Sequence, residues 1–143
     1  MMQATVRHEN VRGFARYVPS LVRWLMGLWL FVFGLNGFLN FLPQPNVQLS
    51  EGAMAFSESL VKSGYMLPLI FATQFLVGAL LLINRFVPLA LVILAPFIVN
   101  SMAFHIFLEH SGLPMAGLLL VFELVLVWHY RKAYASILTA QEK

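Results

Sequence analysis

Polar residues are sparse along this chain, and the intervals between them set its elements. Four long apolar runs stand out: Pro19–Leu42, Tyr65–Ile83, Phe86–Leu108 and Pro114–Tyr130. An apolar helix needs about 20 residues to cross the hydrocarbon core of a bilayer, so each run predicts a transmembrane helix. Only Asn84 and Arg85 separate the second run from the third. So tight a turn makes those two spans antiparallel neighbours. The connection from Pro43 to Gly64 is longer. Pro43 and Pro45 should stop the first span, Ser50 can cap a new helix, and Gly64 suits the position just past its end. In that helix Ala53, Phe56, Ser57, Leu60 and Val61 share one face. The pattern predicts an all-α membrane protein: an antiparallel bundle of four transmembrane helices with an amphipathic helix on the outer surface. It divides the chain into an N-terminal segment 1–18, a transmembrane domain 19–130 and a tail 131–143.

Composition fixes the solvent. Of 143 residues, 60% are hydrophobic and 10% charged, and the mean hydropathy is +0.81. Soluble domains carry about a quarter charged residues, so this chain cannot cover a water-facing surface. Charge then fixes the orientation. Arg7, Arg12, Arg16, Arg23, Arg85, Arg131, Lys132 and Lys143 all fall on one side of an even-numbered topology. Lys62 is the base on the other side, beside Glu51, Glu58 and Glu109. Basic residues mark the cytoplasmic side, which predicts a multi-pass protein of a bacterial-type inner membrane with both termini in the cytoplasm. The basic residues thus belong to membrane boundaries and give nucleic-acid binding no support. The first run is too long for the apolar core of a cleaved signal peptide. No cysteine is present, which excludes disulfides, thiolate metal sites and CxxC redox chemistry. A short echo, "RYVP" at 16–19 and "RFVP" at 85–88, puts Arg at the inner interface and Pro in a first helical turn.

Candidate chemistry lies in the polar residues at membrane depth. These are Asn36, Gln74, Asn100, Ser101, His105 and Glu123, with Trp29 and Phe104 as aromatic neighbours. At 1.5 Å per residue, Asn36, Gln74, Asn100 and Glu123 lie about 9 to 13 Å below the outer ends of their spans. One polar side chain from each span in one layer predicts a shared pocket, with Pro96 permitting a kink beside it. Amides also serve simply as glue between membrane helices, at roughly 0.6 kcal/mol each. A carboxyl at that depth is costlier, and function is the default hypothesis for it. Glu123 is therefore expected to be a neutral acid donating to Gln74 or Asn100, and Glu123→Leu to destabilise the fold by leaving those amides unpaired. The histidines do not form a haem clamp, because His105 and His129 lie at opposite membrane faces. His105 and Glu109 are four residues apart, but two ligands do not make a metal site, and none is predicted. No P-loop, GxGxxG, nucleophile elbow, HExxH or GxxxG occurs. Gly27 and Gly34 share a face of the first span, where a partner helix can come close.

"GLNGFLNFLPQP" at 34–45, "SGYMLPLIFATQFLVGALLLINRFVPLALVILAPFIVN" at 63–100 and "FHIFL" at 104–108 resemble the DoxX family of small four-helix membrane proteins. The matching positions are Gly34, Asn36, Gly37, Phe38, Pro43, Gly64, Tyr65, Gly78, Asn84, Arg85, Pro88, Pro96, Asn100, Phe104 and His105. The resemblance implies a four-helix bundle. In some relatives it implies a subunit of thiosulfate:quinone oxidoreductase, and in others a link to oxidative-stress complexes. Where the family often has an acidic residue in the second span, this chain has Gln74, and the cysteines of its redox branches are absent.

Three functions follow as expectations. The first is an accessory or scaffold subunit, without catalysis of its own, whose polar pocket takes a lipid, a quinone headgroup or a partner's helix. The second is a quinone-linked oxidoreductase subunit, with Trp29, Phe104 and Phe122 flanking the ring and Gln74, Asn100 and Glu123 bonding its carbonyls. The third is a small proton-coupled transporter acting as an oligomer through Glu123. Quinone is the one cofactor these readings suggest. The expected partners are membrane lipids, other membrane subunits or further copies of this chain.

Overall fold

The computed structural model describes residues 2–43, 47–135 and 137, with side chains from Arg16 onward. Pro45, Lys143 and the side chains of Arg7 and Arg12, all used in the sequence argument, lie outside the described residues. Within them the chain is helix and turn, with no strand. Helix α1 spans Met2–Leu39, α2 Glu51–Lys62, α3 Met66–Leu82, α4 Val87–Phe107, α5 Leu113–His129 and α6 Arg131–Tyr134. A 3-10 turn, His110–Gly112, separates α4 from α5. Three stretches are long and apolar enough to cross a membrane: Arg16–Leu39, Val87–Phe107 and His110–His129. A fourth is counted when α2 and α3 are taken together, across a bend of 89°.

The largest departure from the sequence expectation is at the start. The helix does not begin at Pro19 as expected, because α1 runs from Met2 through Pro19 without a break. One proline removes one helical hydrogen bond, which bends a helix more readily than it ends one when both flanks are helical. The second half of the echo does follow the rule, with Pro88 in the first turn of α4. At its other end α1 stops at Leu39, short of Pro43. Asn40 adopts a left-handed backbone with φ 48°, which Asn tolerates better than other residues with a side chain. Asn36 closes that end, its Oδ1 accepting the Leu42 N–H at 2.7 Å.

The connections otherwise follow local chemistry. Ser50 caps α2 by accepting the Ala53 N–H at 3.2 Å, and Gly64 past its end has φ +75°. On the expected apolar face Ala53 is buried, Phe56, Ser57 and Leu60 are half-buried, and Val61 is exposed. Between α3 and α4 the chain turns through left-handed Asn84 (φ 55°) and Phe86 (φ 53°). The Arg85 N–H returns to the Leu80 carbonyl at 3.1 Å.

The four long helices touch in a ring, α1 to α3, α3 to α4, α4 to α5 and α5 back to α1. Met26 and Leu30, Val77 and Leu81, Leu91 and Leu94, and Leu126 fill its centre. Large apolar residues such as Trp24, Leu89, Val99 and Trp128 stay exposed on the outside. An apolar outer surface of that extent suits lipid and not water. In lipid, helices associate through close van der Waals contact, so small residues decide where backbones meet. Here they meet between α1 and α3. A Cβ on Gly34 would lie 2.8 Å from the Phe71 carbonyl oxygen, and one on Gly78 would lie 2.9 Å from that of Gly27. The partner that Gly27 and Gly34 admit is α3. At the end of this seam Arg23, only 8% exposed, donates to the Leu81 carbonyl. That carbonyl belongs to the last turn of α3, where acceptors lack partners within the helix.

Candidate functional site

At the α2 end of the ring the helices diverge enough to leave a cavity of about 300 Å³. α1 contributes Trp29, Phe33 and Asn36, with Asn40 just past its end, α3 contributes Phe71 and Gln74, and Phe97 and Leu119 close it from α4 and α5. A spacing of seven puts Trp29 and Asn36 on one face of α1, and Asn40 reaches the cavity from the left-handed position beyond the helix. Trp29 and Phe33 stack with centroids 5.6 Å apart. Gly37 is what lets the Phe71 ring lie against α1, since any side chain there would strike it. Because the Asn36 oxygen is committed to Leu42, the Asn36 amide nitrogen remains to face a ligand, together with the half-buried Gln74. The cavity therefore offers neutral hydrogen-bonding groups among aromatic faces.

Asn100, Ser101 and Phe104 do not join it. They line a separate cleft of about 600 Å³ with Phe56 and Leu60 of α2 and Ile70 and Thr73 of α3. Asn100 is exposed there, and Phe104 stacks on Phe56 with centroids 5.5 Å apart. His105 turns to another side of α4. Its Nδ1 sits 2.8 Å from the Glu109 carbonyl oxygen, and its ring occupies the space left by Gly112.

The Glu109 carboxylate looks away from His105, toward α2. It accepts the Ser50 N–H at 3.0 Å and the Ser111 N–H at 3.3 Å, while the Ser50 hydroxyl donates to the Leu108 carbonyl at 2.5 Å. These bonds latch the start of α2 to the turn between α4 and α5. The Ser50 N–H, and after it Ser111, holds the Glu109 carboxyl below its ordinary range. His105 thus meets the backbone of Glu109, not its carboxylate.

Glu123 departs furthest from expectation. It is 5% exposed, and neither carboxyl oxygen has a hydrogen-bond partner among the described residues. The expected bonds to Gln74 or Asn100 are not made. Glu123 instead lines a third cleft, of about 760 Å³, with Phe86, Pro88 and Leu91 of the α4 start and Tyr134 of α6. A count of residues from the outer helix ends assumes that those ends are level and says nothing of rotation. In the structure Glu123 faces the first half of α4, whereas Asn100 belongs to the second half. The spacing Glu123, Val127, Arg131, Tyr134 does mark one helical face in the sequence, and that is the signal for this cleft. The four depth-matched polar residues therefore divide among three sites, and only Asn36 and Gln74 meet.

Compared with protein families, curated proteins and solved structures, the chain matches none.

Proposed function

We propose that the protein is an antiparallel four-helix membrane bundle of the DoxX type, an accessory or scaffold subunit whose amide-lined cavity takes the polar head of a quinone or lipid. The observation that carries this reading is the 300 Å³ cavity, in which Asn36 and Gln74 sit among Trp29, Phe33, Phe71 and Phe97. Supporting it are three apolar stretches long enough to span, and the apolar α3, packed against α1 and α4, is the fourth span of this reading. With Arg23, Arg85 and Arg131 turned to the cytoplasm, α2 lies along the outer surface and the cavity opens in the outer half of the membrane. The residues fit a quinone ring: the aromatic side chains of Trp29 and Phe71 would flank it, and the amides of Asn36 and Gln74 would donate to its carbonyl oxygens. A bound quinone would supply two-electron redox chemistry. This chain's own part is to hold and orient the ring and to limit water around it.

Trp29 reports on that cavity directly. In a Trp24→Phe, Trp128→Phe background, a short-tailed ubiquinone analogue should quench its fluorescence saturably. Gln74→Leu should weaken the apparent affinity about tenfold, the worth of one lost hydrogen bond of roughly 1.4 kcal/mol. Quenching that never saturates, or that is indifferent to Gln74→Leu, would remove the quinone and with it the assigned role of the cavity.

A further inference from the structure

The cleft around Glu123 shares no lining residue with the amide cavity and is not used by the function proposed above. Its walls are apolar side chains of α4 and α5 with Phe86 and Ile137, and its polar groups are Glu123, Arg131 and Tyr134. Both of the latter are engaged elsewhere. Arg131 donates to the Trp128 carbonyl at 2.9 Å, and its guanidinium lies 4.9 Å from the centroid of the Trp128 ring. The Tyr134 hydroxyl donates to the Pro88 carbonyl at 3.0 Å. Burial pushes the Tyr134 phenol up, and the nearby Glu123 carboxylate adds to the shift. Glu123 is thus left with two free acceptor oxygens and no cation beside it among the described residues.

We infer that this cleft binds a lipophilic primary amine, its ammonium group seated on the Glu123 carboxylate and its apolar body along α4 and α5. A buried carboxylate is stable only when a countercharge and hydrogen bonds replace water. A primary ammonium supplies both, with N–H donors enough for two oxygens. The cleft's 760 Å³ lies in the range of small-molecule sites. Depth favours a small amine over a phospholipid headgroup. Glu123 is six residues from the end of α5 at His129, so about 9 Å along the helix axis below that interface.

Dicyclohexylcarbodiimide, itself lipophilic, adds to buried carboxyl groups, and peptide mass spectrometry reads its N-acylurea product residue by residue. In phosphatidylglycerol vesicles the full-length protein should be modified at Glu123, and Glu123→Gln should lose that product. Dodecylamine at about ten times its dissociation constant should slow the modification roughly tenfold. Dodecanol should not, and the rates at Glu51 and Glu58 should be unaffected. Protection that appears without dodecylamine once phosphatidylethanolamine enters the vesicles would support the same ammonium site with a lipid as its source. Equal protection by dodecanol, no protection by either amine, or no modification of Glu123 would each overturn the inference. None of these results depends on quinone binding at Trp29.

Discussion

The α1–α3 seam and the α4–α5 face solve the same problem in opposite ways. At the seam, Gly27, Gly34 and Gly78 bring two backbones into contact, and a buried arginine finishes the end by donating to a backbone carbonyl. Across the ring, α4 and α5 meet through leucine-sized side chains such as Leu91, Leu94 and Leu126. A carboxyl there is buried without a partner among the described residues, beside an open cleft. The seam commits its polar groups to holding helices together, and the face leaves one uncommitted. Since apolar burial gains little in a bilayer, close contact and polar satisfaction are the terms that separate a structural interface from a site.

The sharpest way to break this contrast is to add volume to the seam. Gly34→Val should cost about 3 kcal/mol, the upper range for overpacking, because its Cβ meets backbone that cannot move aside. Gly117→Ala on α5, where a Cβ meets nothing within 4 Å, should stay within about 0.5 kcal/mol. Denaturation of the detergent-solubilised protein measures both. Similar costs at the two glycines would mean that the seam is no tighter than the face.

A smaller effect, of opposite sign, is expected at the face. Glu123→Leu removes a buried group that makes no hydrogen bond among the described residues and should raise stability by about 1–2 kcal/mol in the same denaturation assay. The sequence alone pointed the other way, because it paired Glu123 with amides that lie in other clefts. A loss of stability on this substitution would show the carboxyl to be partnered, and the face would then resemble the seam.

The smallest effect is local and depends on pH. Glu109 is half-buried, and its carboxyl is held below its ordinary range by the N–H groups of Ser50 and Ser111. A lowered folded value means that the latch is fully present above the ordinary carboxylate pKa of about 4.3 and fades as pH falls through the folded value. Amide-exchange protection at Ser50 and Ser111, corrected for intrinsic rates, should therefore hold down to about pH 4.3 and drop as pH falls further. In Glu109→Gln it should stay flat and low. A drop of equal size in that variant would place the titration elsewhere.

The sequence by itself determined the long apolar helices and several of their ends. Runs of apolar residues, the Ser50 cap, Gly64 and the Asn84–Arg85 turn act through the local backbone, which needs no distant partner to respond. It also indicated that Gly27 and Gly34 would admit a helix, and that Asn36 and Trp29 share a face. Even so, Asn40 ended α1 before Pro43 could, and Pro19 ended nothing, because several neighbouring hydrogen bonds outweigh one missing donor. Only the tertiary structure decided which helix fills the glycine groove, and which polar residues meet. Those outcomes depend on the rotation and relative height of rigid helices, and both are set by side-chain contacts far apart in the chain. Residues counted to equal depth on four helices therefore came to lie in three separate clefts, with Gln74 beside Asn36 and Glu123 alone.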